Sequence, residues 1–366
     1  MNIKDEFNLK LDKIRKYLES NNAGGILLQR SDNYAWATCG GSCHVNTATD
    51  AGVAALWVGP DNCKIVTNRI EAGRQLDEEI GETGVEVIEL AWAADKIAFV
   101  NSQLAEGKKY IADMPVAGMD LIGPDFIDVM IPLSEREMET YRAIGADTAS
   151  ALEKTSRSLK PGMSENDAAA MLASECYKND IVPIVVLIAA DDRLLRYRHP
   201  LPTGNKLEKT VMLVICGRRK GLIASCTRIV SFGDISEDLR RRHDACARVD
   251  TTFNALSKPG TRIGDIFATA CDAYRAEGFD QEWLLHHQGG PTGFRSRYYT
   301  ATENSDAKVI AGSAFAWNPS ITGTKVEDTI LAGDSGIEFI TQTDDWPTMD
   351  VEFEGMSYQR PDILVI

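Results

Sequence analysis

The groups in this chain that could do chemistry cluster in its C-terminal two thirds. His199 lies in a loop, Arg196-Tyr197-Arg198-His199-Pro200-Leu201-Pro202, whose prolines restrict the backbone. An unperturbed imidazole titrates near about 6.5, so a histidine there can take and return a proton at neutral pH. The plainer alternative is a surface-loop histidine. Two further groups are His286-His287, leading into Gln288-Gly289-Gly290, and Glu327, within Lys325-Val326-Glu327-Asp328-Thr329. An imidazole and a carboxylate held together can orient the amine or guanidinium of a substrate, or can simply satisfy each other, and both readings stand. Asn318, in Trp317-Asn318-Pro319, offers a neutral amide that can orient a carbonyl but binds a hard cation weakly. Ser225 and Cys226 invite a nucleophile reading with a histidine as base, but nothing in their spacing supplies an oxyanion hole.

Arginines surround these groups. Arg193, Arg196 and Arg198 lead into His199, Arg228 ends a hydrophobic run, and Arg295 and Arg297 follow the histidine pair. Guanidinium grips carboxylate or phosphate in two-pronged fashion, which predicts a small-molecule substrate with an anionic end. For any single arginine, a surface pair with an acid is an equal alternative. Arg218, Arg219 and Lys220 occupy a turn and read as a solvated tip. In the N-terminal third, Gly40-Gly41-Ser42-Cys43-His44 is glycine-rich, but no phosphate-loop pattern follows.

The elements that must position these residues are legible as an α/β (α+β) chain of two domains, with 366 residues being long for one core. Residues 1–131 alternate helix and strand: a helix near 6–20, strands at Ile26 to Leu28, Val53 to Val58, Lys64 to Thr67, Val85 to Leu90 and Tyr110 to Ala112, and a helix near Ile70 to Glu79. In 132–366 a charged helix from about Ser134 stops at Lys160-Pro161-Gly162, and a second long helix stops at Lys258-Pro259-Gly260. Proline cannot continue a helix and glycine accepts left-handed torsions, so each triplet terminates one. In both copies an aspartate, Asp167 or Asp265, follows the glycine by five positions and opens an alanine-rich helix. This predicts a two-fold pseudo-repeat of half-sheets with helices outside. The run Val211 to Val230 reads as a buried hairpin with no Asp or Glu between Lys209 and Phe232.

A formal net charge of −15 argues against nucleic acid or an anionic membrane as partner. The N-terminus shows no basic-then-apolar leader and no apolar run reaches about 18 residues, so a cytoplasmic protein is expected. Eight cysteines without a Cys-x-x-Cys pair read as reduced, mostly buried thiols.

The segments Trp317-Asn318-Pro319-Ser320-Ile321 and Lys325-Val326-Glu327-Asp328-Thr329-Ile330-Leu331 resemble the last metal-binding strands of the prolidase, aminopeptidase P and creatinase superfamily, and His286-His287-Gln288-Gly289-Gly290 resembles its Gly-His-Gly-x-Gly segment. The resemblance implies a pita-bread fold behind a creatinase-like N-terminal domain. It implies five metal-ligand positions, of which His287 and Glu327 keep a ligand. Asn318 replaces a glutamate, Ser225 an aspartate, and the remaining aspartate falls near Ile215 or Cys216. One imidazole and one carboxylate cannot bridge and balance two divalent ions. A single zinc using Cys216 or Cys226 beside His287 and Glu327 is conceivable, but strand cysteines among aliphatic neighbours are more often core.

The resemblance therefore points to a metal-independent, creatinase-like hydrolase, without cofactor, that cleaves a C–N bond in a small amino-acid derivative. His199 would be the proton-transferring base, with His287 and Glu327 fixing the nitrogen end. Arg228, Arg295, Arg196 and Asn318 would bind the rest, and His286 would be structural. Alternatives are an Xaa-Pro metallopeptidase using Mn, Co or Zn, and a binding protein without turnover. Creatinase-like homodimers place N-domain residues in a neighbour's site, which nominates His44 and Arg69, but a structural role is the preferred reading for both.

Overall fold

The computed structural model describes residues 1–366, which divide into two compact units, Met1–Arg136 and Glu137–Ile366. The N-terminal unit opens with a helix at Ile3–Ser20, where the Asn2 side chain accepts from the Asp5 amide at 2.8 Å. Phe7, Leu11, Ile14 and Leu18 give it one buried stripe. Six strands follow: β1 (Ala23–Arg30), β2 (Ala51–Val58), β3 (Cys63–Asn68), β4 (Glu86–Leu90), β5 (Lys109–Ala112) and β6 (Asp120–Leu121). They form one mixed sheet in the order β4-β3-β2-β1-β5-β6. The strands expected from the sequence are all present, and the short helices Ser31–Ala37 and Lys96–Asn101 are additions. Within this unit His44 hydrogen-bonds Ser31 and the Thr49 carbonyl, and Arg69 pairs with Glu89 at 2.6 Å.

The C-terminal unit shows the pseudo-repeat. Helices Glu135–Ser158 and Glu165–Tyr177 precede β7 (Val182–Ala190), β8 (Thr210–Arg219) and β9 (Leu222–Ser231). Helices Glu237–Leu256 and Ile263–Ala276 precede β10 (Gly289–Thr292), β11 (Ser313–Trp317), β12 (Ser320–Ile321), β13 (Thr324–Lys325), β14 (Asp328–Gly333) and β15 (Gly336–Phe339). A hairpin of β16 (Thr348–Phe353) and β17 (Met356–Pro361), then β18 (Leu364–Val365), end the chain. Each Lys-Pro-Gly turn is built alike. Gly162 and Gly260 have φ of 89° and 92°, and their amides donate to the carbonyls of Leu207 and Val309 at 2.8 and 2.9 Å. The isolated bridges Ser164–Lys206 and Arg262–Lys308 repeat the match. Asp167 completes a capping box with Ser164, and Asp265 pairs with Arg262 at 3.0 Å, so both aspartates hold helix starts.

The hairpin β8–β9 turns at Lys220 and Gly221, both with positive φ, as a two-residue turn between right-twisted strands requires. Lys220 is exposed, while Arg219 leaves the solvated tip to pair with Asp147 at 2.7 Å. Two four-stranded half-sheets result, β18-β9-β8-β7 and β10-β11-β14-β15. They meet where β9 runs beside β14. The Ser225 amide donates to Thr329 Oγ1 at 2.8 Å, that hydroxyl donates to the Ser225 carbonyl at 2.9 Å, and the Thr227 amide donates to the Glu327 carbonyl at 3.1 Å. Trp317 stacks between Phe253 and Phe315 and donates Nε1 to Ser257 at 2.9 Å, locking the second half-sheet onto its helix. All eight cysteines are free. No helix is long and apolar enough to cross a membrane.

Candidate active site

The seam between the half-sheets opens into a cleft of about 440 Å³. Its polar side carries His199, His287, Arg297, Asn318, Lys325 and Glu327, and its apolar side Val185, Leu187, Leu201 and Val214. β7 supplies much of the apolar wall because it is the edge strand of its half-sheet, so Val182 to Val186 stay only half-buried despite their aliphatic character.

Glu327 sits at the base of the cleft, just before β14, with 2% of its side chain exposed. Oε2 accepts from Lys325 Nζ at 2.8 Å and Thr227 Oγ1 at 2.7 Å, and Oε1 pairs with Arg297 Nη2 at 3.1 Å. Burial alone would raise its pKa, but the charges of Lys325 and Arg297 with their hydrogen bonds overrule it and bring the group to about 2. The carboxylate is ionised and held by two cationic side chains. Lys325 precedes Glu327 by two residues at the end of β13, the spacing that puts two side chains on one side of an extended chain. The sequence displayed Lys325 and Arg297 openly, but nothing in their spacing marked them as partners of Glu327.

Three histidines line up beside this clamp. His199 and His286 share a hydrogen bond between Nε2 atoms at 2.9 Å, and the rings of His286 and His287 stack at 4.4 Å. His287 Nδ1 accepts from the Gly289 amide at 3.3 Å, which leaves the proton of the neutral ring on Nε2. Burial, then Arg297 and Lys325, push His287 down to about 4, and burial with Lys325 also lowers His199. His286 is lowered furthest, chiefly by burial. All three are neutral at physiological pH, so the Glu327 pair with an imidazolium contemplated from the sequence is replaced by pairs with lysine and arginine. His286, expected to be structural, is in direct contact with His199.

The arginine expectations need correction. Arg228 does not reach the cleft: its guanidinium is buried against Asp328 at 3.0 Å and the Thr341 carbonyl at 2.7 Å. Asp328 also binds Arg360 at 2.8 Å, which binds Asp250 at 2.7 Å. A neighbour on a strand points to the opposite face, so Glu327 and Asp328 serve opposite sides of the sheet, and Arg228 follows Asp328. Arg196 is largely exposed and lies 3.7 Å from Asp192. Arg295 does not line the cleft, and its carbonyl accepts from Thr292 at 2.9 Å within the turn after β10. Arg193 and Arg198 bind Glu165 and Glu282. Of the cluster, Arg297 alone faces the cleft. Ser225 is fully buried and donates to Cys216 Sγ at 3.2 Å rather than to a histidine, and Cys226 is core. Cys216 borders the cleft, its thiol pKa raised by burial and by Glu327. Asn318 is 3% exposed, and its Oδ1 has no partner within the protein.

Residues 139–339 match Metallopeptidase family M24. That span covers more than half of the chain and every cleft residue named above. The chain belongs to the M24 family. The structure is similar to dipeptidase PepE from Mycobacterium ulcerans, at 17% identity over 99% of both chains with a TM-score of 0.77. It is similar also to an Xaa-Pro dipeptidase from Bacillus anthracis, at 16% identity over 98% of this chain and 100% of that one, TM-score 0.76. The N-terminal domain of FACT complex subunit SPT16 from chickpea shares the fold at 10% identity over 93% and 97%, TM-score 0.69. Among curated relatives, an uncharacterized peptidase of Staphylococcus aureus is 25% identical over 121 residues, 31% of this chain. The chain spans about a third, 34%, of the length of that relative.

M24 proteins typically use divalent metals, and the donor set here can be tested against that. Both Glu327 oxygens are engaged by side-chain cations, Asn318 and Ser225 are neutral, and no second carboxylate lines the cleft. These residues do not fit a carboxylate-bridged pair of ions. The nitrogens of His199, His286 and His287 lie within 4.8 Å of one another and are the donor type a transition metal takes. Lys325 and Arg297, in the same cleft, set positive charge against a cation there.

Proposed function

We propose that this M24 member is a metal-independent hydrolase of the C–N bond in a small amino-acid derivative that carries an anionic end and an aliphatic group. The observation that carries the reading is the doubly clamped Glu327, because the positive charge an M24 site draws from metal ions is supplied here by Lys325 and Arg297. With one carboxylate against two cations, the polar side of the cleft keeps a surplus positive charge for a substrate anion. Arg297 suits a carboxylate, since guanidinium presents parallel N–H groups. The aliphatic group lies along Val185, Leu187, Leu201 and Val214.

His199 is the proton-transferring base in this reading. Its ring is neutral, stands in the cleft, and is oriented by the 2.9 Å bond to His286. It takes a proton from water as the water adds to the carbonyl carbon, then returns it to the departing nitrogen. His287 and Asn318 orient the amide. The protein would work as a homodimer in the cytoplasm. The test is His199→Ala: turnover of N-acyl amino acids and dipeptides should fall at least about 100-fold with the melting temperature unchanged. A variant with full activity would remove the base from the scheme. Chelator should leave the wild-type rate unchanged, and a rate abolished by chelator and restored by Mn or Zn would favour a metallopeptidase.

A further inference from the structure

We propose that Lys325 is a catalytic residue, the electrophile that polarises the scissile carbonyl and holds the oxyanion formed when water adds to it. The proposal rests on the hydrolase reading of the cleft and deepens it. Lys325 is 4% exposed at its side chain, yet it borders the cleft, so a lysine has been taken out of water at the wall of the candidate site. Burying an ammonium is costly unless it is paired, and Glu327 at 2.8 Å supplies the pair. Glu327 uses one ammonium proton and leaves the others for an acceptor in the cleft. Arg297 is bound to the same carboxylate and to the Ser296 carbonyl, so its remaining donors suit a fixed, planar anion. An ammonium is a point charge with rotatable donors, and it can follow an oxygen as its carbonyl carbon becomes tetrahedral. A cation fixed in a water-poor site where negative charge develops is the largest single catalytic device available to a protein without a metal.

The atoms balance. Water adds to the acyl carbon of an N-acyl amino acid, the carbonyl π electrons move to oxygen beside Lys325, and His199 accepts the water proton. The C–N bond then breaks as His199 returns that proton to nitrogen, giving a carboxylic acid and a free amino acid. Lys325 neither gives up nor takes a proton in these steps.

The competing role is purely structural, with Lys325 present only to neutralise Glu327. Removing Lys325 in a background that already lacks the Glu327 charge separates the two. In the Glu327→Gln background no carboxylate remains to neutralise, so a structural lysine becomes dispensable. Turnover of N-acetyl-L-leucine is followed by release of free leucine in wild type, Glu327→Gln and Lys325→Met/Glu327→Gln, with thermal melts on each. Calorimetry compares N-acetyl-L-leucine with N-(methylphosphonyl)-L-leucine, whose phosphorus centre mimics the tetrahedral oxyanion. We expect the added Lys325→Met step to lower kcat by about 100- to 1,000-fold and phosphonyl affinity in parallel, with N-acetyl-leucine affinity little changed and the melting temperature held or raised, because an unpaired buried ammonium is removed. Equal, measurable kcat in the single and double variants overturns the proposal and leaves the hydrolase reading standing; where Glu327→Gln releases no leucine, phosphonyl affinity in the same two variants decides, its loss on removal of Lys325 supporting the proposal and its retention overturning it. If wild type releases no leucine, the hydrolase reading fails for this substrate class, and phosphonyl affinity still decides Lys325: loss on Lys325→Met supports it, and no preference over the acetyl compound overturns it.

Discussion

At the residue scale, electrostatics decides what the cleft can do. Glu327 is ionised, the histidines are neutral, and the cations are side chains, so a proton acceptor and a positive field stand together without mutual quenching. The lowered pKa of His199 means that its neutral form persists to lower pH than an ordinary imidazole. The acid limb of kcat/KM should therefore lie below about 6.5, the ordinary histidine value. A profile already falling at or above that pH would contradict it. Glu327 has its own signature: its folded pKa of about 2 lies below the ordinary 4.5, so the stability it contributes is present above 4.5 and lost as pH falls toward 2. Glu327→Gln should flatten that part of a stability curve measured by denaturant unfolding.

At the scale of elements, the histidine pair depends on β10. Gly289 has φ of 92°, and a Cβ there would stand 2.2 Å from the Ala316 carbonyl oxygen of β11. Gly289→Ala should destabilise by at least about 1 to 3 kcal/mol from backbone strain alone and reduce activity by displacing His287, whose Nδ1 receives the Gly289 amide. Unfolding curves with turnover on the same sample check both. This glycine was visible in the sequence as part of a motif, but its reason is the approach of two strands that are distant in the chain. The Lys-Pro-Gly turns were legible because a helix stop, a left-handed glycine and an aspartate in the next helix's first turn are local chemistry, whereas the distant carbonyls that receive the Gly162 and Gly260 amides were not. The arginines were misjudged because a guanidinium's direction depends on which acids tertiary packing brings within reach.

At the scale of the whole C-terminal unit, the chain Arg228-Asp328-Arg360-Asp250 is buried behind the site-bearing face of the seam. It links β9, β14, β17 and the helix Glu237–Leu256, so it ties both halves of the pseudo-repeat together. Arg228→Met leaves Arg360 to serve both Asp328 and Asp250 and tips the buried chain toward excess negative charge, so it should destabilise by up to about 3 to 5 kcal/mol, read by thermal or denaturant unfolding. Asp250 ends the chain with its pKa pushed by burial, against the pull of Arg360, up to about 7. That folded value exceeds the ordinary 3.8, so the contribution is full below about 4 and lost as pH rises through about 7. Asp250→Asn should abolish this slope.

Sequence alone determined the repeated helix-and-strand plan, the M24 likeness and the absence of acidic residues from the hairpin. Those features are written in periodicity, turn chemistry and residue type, which act over a few neighbouring positions. Only tertiary structure decided that Arg297 and Lys325 face the cleft while Arg228 and Asp328 face away, and that His286 joins His199. Charge pairing acts through space between residues a hundred or more positions apart, and a strand's facing is fixed when two half-sheets close on one another.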